Sequence, residues 1–120
     1  MDDEAPDRLE FLASVAPAPD AGSVVTIIGE LDVQAASKVG DVFDEAIDHP
    51  GPVELDMRGV SFVDSTGIAA LVRAARRLHD EGRTLAIKGA RQRVRGILEL
   101  SGLVSEGWVE LEAEPESRQA

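Results

Sequence analysis

The stretch Val60-Ser61-Phe62-Val63-Asp64-Ser65-Thr66-Gly67-Ile68 decides the reading of this chain, because within it a buried strand hands over to a helix. Upstream, Val53-Glu54-Leu55-Asp56-Met57 alternates as a strand does, and Val60 to Val63 carry further apolar side chains toward the turn. Downstream, Ile68, Leu71, Val72, Ala75 and Leu78 recur at helical spacing and form one apolar face. Ser65 is thereby placed at or beside a helix N-terminus, where unpaired N–H groups and the helix dipole favour negative charge. A phosphate on Ser65 can be held there without unfolding anything, which makes this serine a candidate switch. Asp, Ser and Thr are also the commonest N-cap residues, so capping alone accounts for any one of Asp64, Ser65 or Thr66. A cap needs one such residue, yet three precede Gly67, which costs helix stability and leaves the first turn bare. A bare first turn suits a surface that another protein approaches closely.

Working outward, Leu9 to Val15 reads as a first strand, Ala16 to Gly22 as a Pro/Gly turn, and Val24-Val25-Thr26-Ile27-Ile28 as a second strand rich in β-branched residues. The two form a hairpin. A helix follows over about Gln34 to Asp48, with Ala36, Val39, Val42, Phe43, Ala46 and Ile47 on one face and Asp32 at or next to its N-cap. His49-Pro50-Gly51-Pro52 stops it. The central helix spans about Thr66 to Asp80, closed by Gly82 as a left-handed C-terminal residue. Thr84 to Lys88 is a fourth strand, and Arg91 to Leu100 a third helix with Val94, Ile97 and Leu98 inward. Gly102 ends that helix, and a short last strand runs through Trp108 and Val109. Strands alternating with helices after a hairpin indicate an α/β fold: a single domain with a mixed sheet of four to five strands and helices packed mainly on one face. The strand order stays open. Residues 1–8, acidic and short of apolar groups, are expected to be disordered; 9–111 form the domain and 112–120 an acidic polar tail.

A length of 120 residues fits one domain with a real core, built from Val, Ile, Leu and Ala because Phe11, Phe43, Phe62 and Trp108 are the only aromatic residues. The net charge of −11 argues against nucleic acid or an anionic membrane as partner and favours a basic protein surface. There is no cysteine, hence no disulfide, thiolate nucleophile or cysteine metal site. The acidic N-terminus lacks the features of a signal peptide, and no apolar run reaches the length of a membrane span, so the expected location is the cytoplasm.

Catalytic signals are few. Neither GxGxxG nor GxxxxGK[ST] occurs, and His49 and His79 lack metal-site spacing and read as solvated surface residues, so neither cofactor nor metal is expected. No Ser/His/Asp set or nucleophile elbow surrounds Ser65. Arg73, Arg76 and Arg77 on the central helix, and Arg91, Arg93 and Arg95 on the next, read as salt-bridged solvent faces of an acidic protein.

Four segments together resemble a known family: Gly29-Glu30-Leu31-Asp32, Val53-Glu54-Leu55-Asp56-Met57, Phe62-Val63-Asp64-Ser65-Thr66-Gly67 and Ile97-Leu98-Glu99-Leu100-Ser101-Gly102-Leu103 look like the signature of STAS domains, in particular bacterial anti-sigma factor antagonists. The likeness covers about residues 9–111, and its most telling part is the Asp-Ser-Thr-Gly element. The resemblance implies a partner-switching regulator of transcription in stress responses, and no enzyme. In that family the unphosphorylated protein binds an anti-sigma factor that is itself a serine kinase and so frees the sigma factor. Phosphorylation of the serine matching Ser65 abolishes binding, and a serine phosphatase restores it. The aspartate matching Asp32 contributes to kinase recognition, and Asp64, Ser65, Thr66, Gly67 and Ile68 fall on the same partner-binding surface. The protein so implied is a monomer when free, with the kinase and phosphatase as partners and neither nucleic acid nor membrane. STAS domains also occur in transporter tails, lipid-transport complexes and stress-sensing assemblies, so an interaction subunit that is never phosphorylated is the alternative. A phospho-aspartate receiver is a third reading, since Asp56 and Lys88 end strands, but the acidic pair receivers need after their first strand is missing.

Overall fold

The computed structural model describes residues 11–19 and 21–112. Its elements in chain order are β1 (Leu12–Pro17), β2 (Ser23–Leu31), α1 (Ala36–Ile47), β3 (Val53–Val63), α2 (Ser65–Asp80), β4 (Leu85–Lys88), α3 (Gln92–Leu100) and β5 (Val109–Leu111). The strands form one sheet in the order β1-β2-β3-β4-β5. β1 and β2 are an antiparallel hairpin, and every later pair is parallel. The strand order that the sequence left open is thus the simplest one, each helix returning the chain to the strand next to the one it has just left.

The β-branched run of β2 alternates in burial: Val25, Ile27 and Leu31 point inward, while Thr26, Ile28 and Glu30 face outward. Their inward neighbours are Leu55 and Met57 of β3 and Leu85 and Ile87 of β4. Against this face pack Val39 and Phe43 of α1, Leu71, Ala75 and Leu78 of α2, and Val94 and Leu98 of α3, all in one continuous core. The three helices therefore cover one face, as the patterning predicts, and each fully buried Leu, Ile or Phe contributes about 1.5–3 kcal/mol. Among the described residues no helix covers the other face, and Leu12, Ile28 and Arg58 are exposed on it.

The third strand, read over Val53 to Met57 with further apolar side chains from Val60 to Val63, is one continuous element through Arg58-Gly59. Two bulges disguise it. Between the pairs Thr26↔Asp56 and Ile28↔Gly59, β3 sets three residues against two, and between Gly29↔Val60 and Glu30↔Phe62 it sets two against one. β1 starts at Leu12, later than Leu9, which lies outside the described residues together with 1–8 and 113–120. Glu112, the first residue of the expected tail, is still tied to the sheet by its N–H to the Ile87 carbonyl at 2.9 Å.

The helix ends follow local chemistry. Gly82 (φ +74) stands just past α2, and the N–H groups of Gly82 and Arg83 donate to His79 O (2.9 Å) and Leu78 O (2.8 Å), the Schellman arrangement that a left-handed glycine permits. The C-terminus of α1 is closed from a distance. Arg83 donates from Nη1 to Ile47 O (3.0 Å) and from Nη2 to His49 O (2.7 Å) and Gly51 O (2.9 Å), while pairing with Glu81 at 2.7 Å. The guanidinium fork supplies donors that the helix end and the Pro50-Gly51-Pro52 turn lack. His79 is exposed, as expected, but its ring leans on Trp108 with centroids 5.7 Å apart. No described helix is long and apolar enough to cross a membrane.

Candidate functional site

Leu31 and Val63 are register partners at the C-terminal ends of adjacent parallel strands, so the next residues, Asp32 and Asp64, leave the sheet side by side. The Asp64 N–H donates to the Leu31 carbonyl (3.2 Å) and locks the two exits together. Asp64 then turns extended (φ −107, ψ −176) and acts as the N-cap of α2, its Oδ1 accepting the Gly67 N–H at 2.9 Å. The ambiguity among the three polar residues is thereby resolved: Asp64 caps, and Ser65 is the first helical residue, exposed, with its hydroxyl free of the capping bond.

Asp32 does not cap α1. Ala35 holds that position without a side-chain bond, while the Asp32 Oδ1 accepts the N–H groups of Gln34 (3.1 Å) and Ala35 (3.2 Å), shaping the turn that precedes the helix. Asp32 precedes that N-cap by three residues, so the expectation that it is the cap or its neighbour is corrected: its carboxylate orders the turn and leaves the helix end to Ala35. Thr66 and Ile68 are half-buried, and Ile68 packs against the core.

Gly67 departs from expectation. A bare first turn pointed to the approach of another protein, yet Gly67 is buried and faces the chain itself. A Cβ at this position would stand 2.2 Å from the Leu31 carbonyl oxygen and 2.8 Å from Leu31 Cγ, far inside van der Waals contact. The glycine lets α2 begin directly over the end of β2. Two residues that sequence reasoning did not single out flank the site: Val33, 65 % exposed in the turn after Asp32, and Phe62, 46 % exposed near the end of β3. An apolar residue stranded between Asp32 and Gln34 is the signal that marks Val33, since nothing in its own turn can bury it.

The arrangement is suited to recognition. Along α2 the nearest histidine, His79, is fourteen residues and about 21 Å from Ser65, and Asp64 already spends an oxygen on Gly67. Among the described residues no group of three or more His, Asp or Glu could hold a metal. Asp56 sits away from this end, clamped by Arg58 through Nε–Oδ1 (3.1 Å) and Nη2–Oδ2 (2.8 Å), and the Arg58 side-chain bonds hold its carboxyl below the usual carboxylate range. Of the arginines read as salt-bridged faces, Arg77 pairs with Asp44 and Arg95 lies 3.5 Å from Glu99.

The model of the family described as "Mlab, STAS domain" matches residues 15–109. The chain belongs to the STAS-domain family. No curated protein matches it. Among solved structures, this STAS domain is similar to the anti-sigma factor antagonist SpoIIAA in its unphosphorylated form, with a TM-score of 0.67 at 15 % identity over 87 % of this chain and 90 % of that one. It is also similar to an anti-sigma factor antagonist from Mycobacterium paratuberculosis, with a TM-score of 0.70 at 24 % identity over 88 % and 87 %. A sulfate transporter family protein from Wolinella succinogenes gives a TM-score of 0.64 at 24 % identity over 79 % and 80 %. At such identities the likeness establishes the shared fold, the α/β architecture expected from the sequence.

Proposed function

We propose that this STAS domain is an anti-sigma factor antagonist that works by partner switching. Its unphosphorylated form binds an anti-sigma factor serine kinase and releases the sigma factor; phosphorylation of Ser65 ends binding, and a phosphatase reverses it. One observation carries the reading: Ser65 is the exposed first residue of α2, and Asp64 has taken over the cap that would otherwise occupy the serine. Its hydroxyl is thus open to a kinase at no cost to the helix. Asp32 is the second contact, with Thr66 and Ile68 contributing their exposed parts. Gly67 supports the surface from within.

The switch is electrostatic. A phosphate adds about −1.5 to −2 charges beside Asp32 and Asp64, and the helix dipole tolerates it within the fold. Against a carboxylate of the partner at about 4 Å and an effective dielectric near 20, one unit of like charge costs about 4 kcal/mol, about a thousandfold in affinity. The family description, which specifies STAS and no kinase, favours one second reading: an unphosphorylated interaction subunit of a lipid-transport or stress-sensing complex. Incubating wild type and Ser65→Ala with ATP and extract of the native cells, then reading intact mass with site localisation, separates the two. One phosphate on wild type, mapped to Ser65 and missing from the variant, supports the switch. An unlabelled wild type, where a known substrate is labelled, transfers the role to the subunit.

A further inference from the structure

Arg58, Lys88, Arg91 and Arg95 converge on one groove of about 610 Å³, between the C-terminal end of β4, the first turn of α3 and the end of β5. In a chain with net charge −11 this is a local reversal of sign, and it belongs to the α3 arginines that a solvated face had seemed to explain. Glu54 and Glu112 are the groove's acidic members. Its cations are preset. Arg58 is clamped by Asp56, Arg91 donates from Nε to the Arg58 carbonyl (3.2 Å), and Arg95 bonds the Glu112 carbonyl. Lys88 and Arg91 have no ion-pair partner among the described residues. Arg91 is also the N-cap of α3 and caps nothing with its side chain, and no acidic residue stands in the first turn.

The groove already holds one anionic oxygen. Glu112 Oε1 accepts the Gly89 N–H at 2.8 Å. Gly89 has φ +72, and a Cβ there would lie 2.1 Å from Arg58 Cγ, so the glycine lets the Arg58 stem pass close over the backbone that makes this bond. Neither Glu54 nor Glu112 forms an ion pair with Lys88 or Arg91, whereas a phosphate brings three acceptor oxygens and more charge.

We propose that this groove binds a phosphate-bearing small molecule, whose oxygens replace the Glu112 carboxylate on the Gly89 N–H and bridge Lys88 and Arg91. No aromatic residue lines it, so the feature recognised is the phosphate. The site is separate from Ser65. Asp56, the register partner of Lys88, precedes the end of β3 by seven residues, about 20 Å of strand, so the binding does not depend on partner switching.

The test is a titration of inorganic pyrophosphate into the full chain at constant ionic strength, following backbone amide shifts. Saturable shifts are expected at Gly89, Gln92 and Arg93. Arg91→Ala and Lys88→Gln each weaken binding about tenfold or more, the loss of one charge-assisted contact, while Glu112→Gln tightens it by removing the competing carboxylate. Unchanged melting temperatures show that these exposed or half-buried substitutions leave the fold intact. A nucleoside diphosphate binding as tightly as pyrophosphate assigns the site to phosphate alone, and one binding more tightly adds the Leu111 wall as a seat for the rest of the molecule. Shifts that do not saturate, that spread equally to Arg73 and Arg76 on α2, or a Glu112→Gln variant that binds more weakly overturn the proposal.

Discussion

Gly67→Ala tests whether the first turn of α2 is bare for a partner or for the fold. In an exposed helix the substitution should stabilise by about 1 kcal/mol through helix propensity. Here the new Cβ would meet the Leu31 carbonyl oxygen at 2.2 Å, so α2 must retreat by about 1 Å to reach ordinary contact. Overpacking of this kind costs about 1–3 kcal/mol. The same oxygen accepts the Asp64 N–H, and losing that bond adds about 1 kcal/mol. Set against the propensity gain, the net loss is about 2 kcal/mol, or about 10 °C in melting temperature for a domain of this size. The protein contains its own control, because a Cβ on Gly40 in α1 would touch nothing within 4 Å. Gly40→Ala should therefore raise the melting temperature by about 5 °C. Paired thermal denaturation of the two variants by circular dichroism reads the difference in sign. If Gly67→Ala matches or exceeds wild type, the close approach of α2 to β2 is wrong, and the glycine's place in a partner surface is restored.

Asp64→Ala should cost about 1 kcal/mol by removing the cap, while Ser65→Ala should change the urea midpoint little. Comparable losses from the two would mean that Ser65 shares the capping. Arg83→Ala should cost about 2–3 kcal/mol by freeing the carbonyls of Ile47, His49 and Gly51, and Arg83→Lys should recover little because one ammonium cannot span all three; full recovery in chemical denaturation would refute the fork. Because Arg58 holds the Asp56 carboxyl below its ordinary value of 3.8, the pair contributes stability above that value and loses it as pH falls through the lowered one. Asp56→Asn should make the acid limb of stability against pH shallower, and superimposable limbs would remove this pair from the account.

The helices were legible because one apolar face suffices to announce each, and α2 starts one residue before the position read from Ile68, Leu71 and Leu78. β3 was less so. Its alternation fails at Arg58-Gly59 and Ser61-Phe62, and the failures make sense only against the register of β2, thirty residues away. The site divides the same way. Asp64, Ser65 and Thr66 were visible as a local cluster, but which of them caps depended on a distance. The adjacency of Asp32 and Asp64 arises from strand pairing, and the inward role of Gly67 from the Leu31 carbonyl, neither of which leaves a local trace. The basic groove was the least visible of all, since Arg58, Lys88 and Arg91 to Arg95 look like three unrelated surface segments until the sheet stacks them.

The two bulges of β3 have an arithmetic consequence for how the chain can vary. Each adds one residue, and each inverts which side chains face the core: Leu55 and Met57 point inward before the first, Val60 after it, and Val63 again in step with Leu55 after the second. Val63 thus ends β3 opposite Leu31 and facing the core, and Asp64 and Ser65 follow it directly into α2. Because each bulge holds one residue more than the β2 ladder needs, deleting Gly59 would straighten β3 there and leave Val60 opposite Gly29, Phe62 opposite Glu30 and Val63 opposite Leu31, each with its present facing. The bulges are thus the two places where β3 can lose a residue without turning Val63 out of the core or moving Ser65 from the end of β2, whereas a loss in the regular stretch from Val53 to Asp56 would slip the register of everything before it.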